Sequence, residues 1–561
     1  MIYVFGLIAL CLAWLLPGHY FPWRSFQQEV AAAIGALLLA LATLASPRLQ
    51  RLPVARIALG AFALAFVPLA QWWLGKVTYF ADALLPSVYL CAFGLTIVAS
   101  TALARADGER FIGCMFGAII VAAFASTGIG LVQWLRLGAM SLIENLGPGD
   151  RVFANFTQPN HLAALIGVAL AAVAWLFETR RVGRWPAWLA LWFLAFGLVM
   201  TEARVGWLMV GVLVAWWALG RSKVALRSTP LGVAAAVLPF AVLTLTWAPL
   251  NTSLDLTAVT NVAERAQSVG GRSILWPAMW DAAWREPLWG WGWMQVGAAQ
   301  QAVALDHPAS FEWATYSHNL LLDLLVWKGL VIGTGVIAAI VWWTVSRCVG
   351  CRDVTTWSLL AAGGAVAAHA LVEFPHAYTY FLLPLGVLIG SIEARRSLAS
   401  SGSGRSLPKW AFGAATAAMA ALLGCIWIEF LKIEEASSRA SFKEAGYVTP
   451  GDEPRVPEVI LLDNQREFIW FRLTEAREGM PQADVERMRR LNLRYMPPPA
   501  MLRYALAAGL NGRPDDARRN LQLICQMWRP KHCEEGRKSW ATLQERFPKL
   551  LQIEYPSQVA R

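Results

Sequence analysis

The chain has 561 residues; 57% are hydrophobic, 15% are charged and 29 are Trp. A soluble chain of this length divides into domains with polar surfaces, and this composition cannot supply them, so an all-α polytopic membrane protein is expected. The net charge of +11 gives no pointer to nucleic acid, because the basic residues sit in short loops between apolar runs.

A helix needs about 20 apolar residues to cross a bilayer. That length predicts about thirteen spans (12–14), near 2–17, 29–46, 55–74, 81–103, 111–135, 160–177, 185–201, 204–220, 229–248, 318–345, 355–372, 377–393 and 410–430. The first lacks a charged N-region and a small-residue cleavage site, so it is expected to be retained as a span. With the N-terminus inside, seventeen Lys and Arg fall in cytoplasmic loops, from Arg48, Arg51 and Arg56 to Arg396, Arg405 and Lys409. The outer loops and helix ends hold five: Arg24, Lys76, Arg136, Arg151 and Arg204. This positive-inside bias places a large loop, 248–317, and the chain from 431 onward on the outer, periplasmic side.

The expected organisation is a transmembrane domain over 1–430 and a small helical periplasmic domain over 431–561. The last segment carries 22 Lys and Arg and 18 Asp and Glu, about three charged residues in ten, a density ordinary for a soluble domain. Within it, 499–528 has apolar residues at helical spacing on both sides of Asn511-Gly512-Arg513-Pro514, which predicts a helical hairpin. Six of the eight Cys lie in or beside spans, where they read as small buried hydrophobes. Cys348 and Cys351 have CxxC spacing in a short cytoplasmic loop without a His or further Cys beside them. Cys525 and Cys533 lie in the exported tail, where no other Cys competes, and a disulfide between them is expected.

Polar residues cluster at the outer ends of the spans, where ionisable groups tend to mark function. They are Phe156-Thr157-Gln158-Pro159-Asn160-His161, Thr201-Glu202-Ala203-Arg204, Gly270 to Trp276, Tyr316-Ser317-His318-Asn319 and Glu373-Phe374-Pro375-His376. Separate elements bringing Arg, Arg and His to one membrane level suggest a site for an anionic lipid headgroup. Each residue also has a plainer reading. Arg204 and Arg272 could be snorkelling anchors, Asn160 and His161 could cap the helix after Pro159, and His318 could be an interfacial polar residue.

The strings FTQPNHLAALIGVAL, GRSILWPAMWDAAWREPLWGWGW, SHNLLLDLLVWKGL and VEFPHAYTYFLLPLG resemble the O-antigen ligase and polymerase superfamily. Within it they are similar to bacterial protein O-oligosaccharyltransferases of the PglL type. The resemblance covers about residues 10–395 and extends into the tail. It implies transfer of a preassembled oligosaccharide from undecaprenyl diphosphate to a Ser or Thr hydroxyl of a periplasmic protein such as a pilin, at the outer face of the bacterial inner membrane. It maps the catalytic His onto His318, the diphosphate-binding arginines onto Arg204 and Arg272, and the Gln of the QPNH string onto Gln158. Asn160, His161, Asn319 and Glu373 are the further expected substrate-binding residues. Many relatives have Tyr where Phe374 stands, so a hydroxyl role shifts to Tyr378 or Tyr380. Relatives also commonly carry small or hydroxyl residues where Glu202 and Ala203 precede Arg204.

The chemistry points the same way. Breaking a glycosyl–phosphate bond leaves a lipid diphosphate whose charge needs a divalent metal or an arginine clamp. The first outer loop, 17–28, has no Asp or Glu, so no metal or other cofactor is expected. Arginine offers two hydrogen bonds to a phosphate, and a neutral imidazole suits removal of a hydroxyl proton near pH 7. Direct attack would invert the anomeric centre. The expected partners are the lipid-linked donor, an acceptor protein and membrane lipids, with no nucleic acid. The alternatives are an O-antigen ligase, an O-antigen polymerase and, from a different class, a transporter of the lipid-linked glycan. Lys328 and Asp323 inside the tenth span favour the transporter; the folded tail argues against ligase and polymerase.

Overall fold

A computed structural model describes residues 2–138, 141–147, 150–254, 256, 271–398, 405–447, 451, 453–495 and 497–556. Gly270, with the preceding part of the large loop from 257, lies outside the described residues. The protein is an all-α polytopic membrane protein, 73% helical. Two three-residue strands, β1 (Arg51–Pro53) and β2 (Ser406–Pro408), pair antiparallel.

A helix occupies each of the thirteen expected segments. They are α1 (Ile2–Leu12), α2 (Phe26–Ala45), α3 (Arg56–Trp73), α4 (Phe80–Asp107), α5 (Glu109–Trp134), α6 (Pro159–Glu178), α7 (Arg184–Met200), α8 (Arg204–Gly220) and α9 (Pro230–Ser253). After two helices in the large loop, α10 (Arg272–Arg285) and α11 (Val296–Val303), come α12 (Leu320–Gly350), α13 (Val354–Ala370), α14 (Thr379–Leu398) and α15 (Lys409–Glu444). Among the described residues, eight are long and apolar enough to cross a membrane: α2 to α6, α9, α12 and α15. Helices α1, α7 and α8 are apolar but shorter.

Local chemistry sets several boundaries. Pro159 and Pro230 open α6 and α9, where a missing N–H costs nothing. Thr229 and Asp353 cap α9 and α13, accepting from the backbone N–H groups of Gly232 and Thr356. Several boundaries depart from expectation, the largest at α15, which runs on to Glu444 rather than ending near 430. Helix α1 ends at Leu12 rather than near 17, and Cys348 lies in the last turn of α12 rather than in a loop.

One further departure has a clear cause. The expected span 318–345 is broken at Gly329, whose φ of 74° and ψ of 171° are not helical. The large loop crosses the chain there: a Cβ on Gly329 would lie 2.5 Å from the Pro287 carbonyl oxygen, and one on Gly290 would lie 2.4 Å from the Gly329 nitrogen. Only glycine on both strands permits that approach. The Trp291 N–H donates to the Val326 carbonyl at 2.9 Å, and Gln71 Nε2 donates to the carbonyls of Trp327 (2.6 Å) and Trp289 (3.0 Å).

Two compact units interleave in sequence. The first comprises 1–65, 88–268 and 340–423. Its centre is α6, with Leu162 to Ile166, Ala169 and Trp175 fully buried. Ion pairs Arg347–Glu393 (2.6 Å) and Arg395–Asp353 (2.6 Å) tie its connecting segments. The second comprises 66–87, 269–339 and 424–561. Its tail folds as α16 (Asp463–Leu473), α17 (Gln482–Arg494), α18 (Pro498–Leu510), α19 (Pro514–Met527) and α20 (Pro530–Arg546) around Met488, Met501, Leu521 and Trp540. Helices α18 and α19 form the expected hairpin, turning at Gly512 with φ 83°. Cys525 and Cys533 are joined in a disulfide between α19 and α20.

Candidate functional site

In the first unit the FTQPNH segment leads into α6. Gln158 is the residue before the helix, in extended conformation, and its side chain does not cap. It turns to His161 instead, with Nε2 2.7 Å from the imidazole Nε2. On the other ring face, Nδ1 meets the Tyr380 hydroxyl at 3.0 Å and Thr157 Oγ1 at 3.2 Å. With the amide donating, the ring proton lies on Nδ1, facing the two hydroxyls. His161 is fully buried, against Tyr378 (4.7 Å between centroids) and Phe381 (5.3 Å).

One residue earlier, Asn160 Nδ2 donates to Glu373 Oε1 at 2.9 Å, and Glu373 is buried. Six of the expected residues, Gln158, Asn160, His161, Glu373, Tyr378 and Tyr380, thus form one hydrogen-bonded and aromatic cluster. Tyr380 is buried with its hydroxyl on His161, whereas Tyr378 is partly exposed and stacks over Phe374.

Two buried polar groups beside this cluster escape a reading by motif. Glu29 lies one residue past the first outer loop, in the first turn of α2, and accepts from Ser25 Oγ (2.5 Å), Trp23 Nε1 (3.1 Å) and the Tyr89 hydroxyl. His369, in α13, brings its ring to 6.2 Å from His161. Glu29 would have entered the first outer loop had it been drawn one residue longer; His369 sits in an apolar run that gives no signal. Arg204 opens α8 and is exposed. Glu202, two residues earlier, has φ 49° and receives Trp247 Nε1 at 3.4 Å.

In the second unit His318 is a non-glycine residue with φ 56°, a conformation that needs support from its surroundings. The support is visible. The Ser317 N–H donates to Asp323 Oδ1 at 2.7 Å, and the Asp323 N–H returns a bond to the Asn319 carbonyl at 2.9 Å. Ser317 Oγ donates to that same carbonyl at 3.0 Å. Asn319 Oδ1 then caps α12 by accepting from Leu321 (3.0 Å) and Leu322 (3.2 Å). Trp276 of α10 fixes the other side, its Nε1 donating to the Ser317 carbonyl at 2.9 Å. Arg272 is the first residue of α10, so the helix that carries it also holds the His318 turn. Asp323, which the sequence marks with Lys328 as an ionisable residue inside the tenth span, is fully buried; its bond to the Ser317 N–H is what the sequence did not show. Lys328, also fully buried, has its Nζ 3.4 Å from the centre of the Trp293 ring.

Outside the spans, Arg285 and His307 hold the Asp281 carboxyl below the usual carboxylate range. Among the described residues no group of three or more His, Cys, Asp or Glu is arranged to hold a metal ion.

The O-Antigen ligase family profile matches residues 189–342, and that of the C-terminal part of a virulence factor membrane-bound polymerase matches 355–536. Over these two stretches the chain is similar to the O-antigen ligase superfamily. It is 28% identical over 483 residues to a general O-oligosaccharyltransferase of Acinetobacter baylyi, covering 83% of this chain and 82% of that one. It is 26% identical over 433 residues to a ComP-specific O-oligosaccharyltransferase of the same organism, covering 76% of each.

Proposed function

We propose that this protein glycosylates periplasmic proteins such as a pilin, transferring a preassembled oligosaccharide from undecaprenyl diphosphate to Ser or Thr. The carrying observation is the likeness to two O-oligosaccharyltransferases over three quarters or more of each chain. It is a glycosyltransferase working on a lipid-linked glycan and a protein acceptor. We read residues 1–430 as the membrane-embedded transferase in the inner membrane, and 248–317 and 431–561 as periplasmic.

In this reading His318 takes the proton of the acceptor hydroxyl as its oxygen attacks the anomeric carbon. The bond from that carbon to the phosphate oxygen breaks, inverting the centre, and lipid diphosphate departs. Arg204 and Arg272 bind the diphosphate and offset its growing charge. The anchored turn around His318 supports this assignment, since a base gains from a fixed position. Gln158, Asn160, His161, Glu373, Tyr378 and Tyr380 bind sugar or acceptor, and Asn319 shapes the turn. Transfer is read as metal-independent; the Glu29 oxygens are taken by Ser25, Trp23 and Tyr89.

The test is purified protein with lipid-linked glycan and pilin, with and without EDTA. Label on the pilin in both is expected. Label on lipid A–core or on growing glycan instead would establish ligase or polymerase activity, and loss with EDTA restored by magnesium would overturn the arginine clamp.

A further inference from the structure

We infer that α10 lies in the surface of the bilayer, with one apolar stripe immersed where headgroups meet acyl chains. The helix has three faces. Leu275, Ala278, Met279, Ala282 and Ala283 are buried. Asp281 and Arg285 form an ionic flank that continues to Asp306, with Arg285 Nη2 2.8 Å from the Asp306 carboxylate. The third face is exposed and uncharged: Ser273, Pro277, Trp280 and Trp284, at helical spacing.

Trp280 and Trp284 are 49% and 58% exposed, and their rings meet edge to face at 6.2 Å. Beyond the helix the stripe runs on through Leu288 and Trp289, 63% and 50% exposed. Large apolar side chains in a row demand a cover.

The occupant follows from continuity with a membrane-spanning helix. Trp289 is bound through its carbonyl to Gln71, and Glu286 pairs with Lys76 at 2.8 Å. Gln71 lies in the last turn of α3 and Lys76 three residues beyond its end, and α3 is apolar and long enough to span. That end carries Trp72, Trp73 and Leu74, of which Trp73 is 81% exposed. Trp at the end of a span is the side chain enriched at the headgroup level, apolar in body with one N–H for water or phosphate. The α10 stripe therefore continues an aromatic belt at that depth. The polar flank beside it and Lys76 suit the water side.

The consequence concerns Arg272, the first residue of this helix. A helix held in the interface keeps that guanidinium at the depth of a lipid phosphate. The inference itself requires only that the protein is membrane-embedded, so it survives if the transfer reaction is assigned wrongly.

The decisive experiment uses the unmodified protein in nanodiscs of phosphatidylethanolamine and phosphatidylglycerol carrying an acyl-chain diazirine. Trypsin excises Ser273–Arg285 after photolysis. Lipid adducts on Trp280 or Trp284 are expected; an unlabelled peptide, while peptides from the spans are labelled, would overturn the inference. Nitroxides at Trp280→Cys, Trp284→Cys and Arg285→Cys, with Cys91, Cys114, Cys348 and Cys425 replaced by Ser, give a second reading. Positions 280 and 284 should meet oxygen more than a nickel chelate, and 285 the reverse. Equal chelate access at all three means a water-facing helix, and exclusion of both reagents at 280 and 284 means a protein cover; either result overturns the proposal.

Discussion

At the scale of single residues, the second unit holds the proposed base in a turn that other groups fix. His318 is in a left-handed conformation, and Asp323 and Trp276 hold Ser317 from two sides. His318→Ala should lower transfer by about 10²-fold or more while lipid-linked glycan still binds, because a general base typically contributes 10²–10⁴-fold. Single-turnover assays beside donor-binding isotherms check this, and a rate within about tenfold of the wild type would remove His318 from the role. Asp323→Ala should also slow transfer, by about tenfold or more, since a hydrogen bond to a charged group contributes about 1.5–3 kcal/mol. Asp323→Asn, which keeps an oxygen for the Ser317 N–H, should recover most of that loss. If both variants are equally slow, the carboxylate does more than hold the turn.

At the scale of elements, the break in α12 and the glycine pair across it show the loop and the helix acting together. Gly329→Ala meets both objections at once, a positive φ and a Cβ 2.5 Å from a carbonyl oxygen. It should destabilise the second unit by about 2 kcal/mol or more, as strained backbone and overpacking each cost about 1–3 kcal/mol. Gly335→Ala, on the same helix with open space around the new Cβ, should be neutral or mildly stabilising. Thermal unfolding of the two variants in the same detergent gives the comparison; similar midpoints would mean that the crossing has moved aside.

For the molecule as a whole, acid should act first on the tail. Arg489, helped by Arg513 and Arg490, holds the Glu486 carboxyl at about 2, below its ordinary 4.5. Its stabilisation is complete above the ordinary value and is lost as pH falls toward 2. Asp463 has the opposite sign: burial raises it, even though the Phe80 and Ala81 N–H groups donate to it. Between pH 5 and 3 the tail should lose protection against hydrogen exchange across 482–527. Glu486→Gln should flatten that loss, and Asp463→Asn should steepen it. An unchanged slope in Glu486→Gln would show that other carboxylates set the acid response.

Composition and periodicity were enough for the helical membrane architecture, the positions of thirteen helical segments and the hairpin at 499–528. These follow from local quantities: runs of apolar side chains, turn residues and the cost of leaving backbone groups unpaired in lipid. The motif strings also carried Gln158, Asn160, His161 and Glu373 as candidates. What they could not carry is who bonds to whom. Glu29 and His369 flank the His161 cluster from other helices and have no signature of spacing; Asp323 stood out as a charge inside a span, but not as the acceptor of the Ser317 N–H. The kink at Gly329 was equally hidden, because glycine in an apolar helix is commonplace until another backbone is found 2.5 Å from where its Cβ would be. Local sequence determines which segments become helices, whereas the buried polar network and the strained turn depend on contacts between segments up to hundreds of residues apart. Only the tertiary structure brings those together.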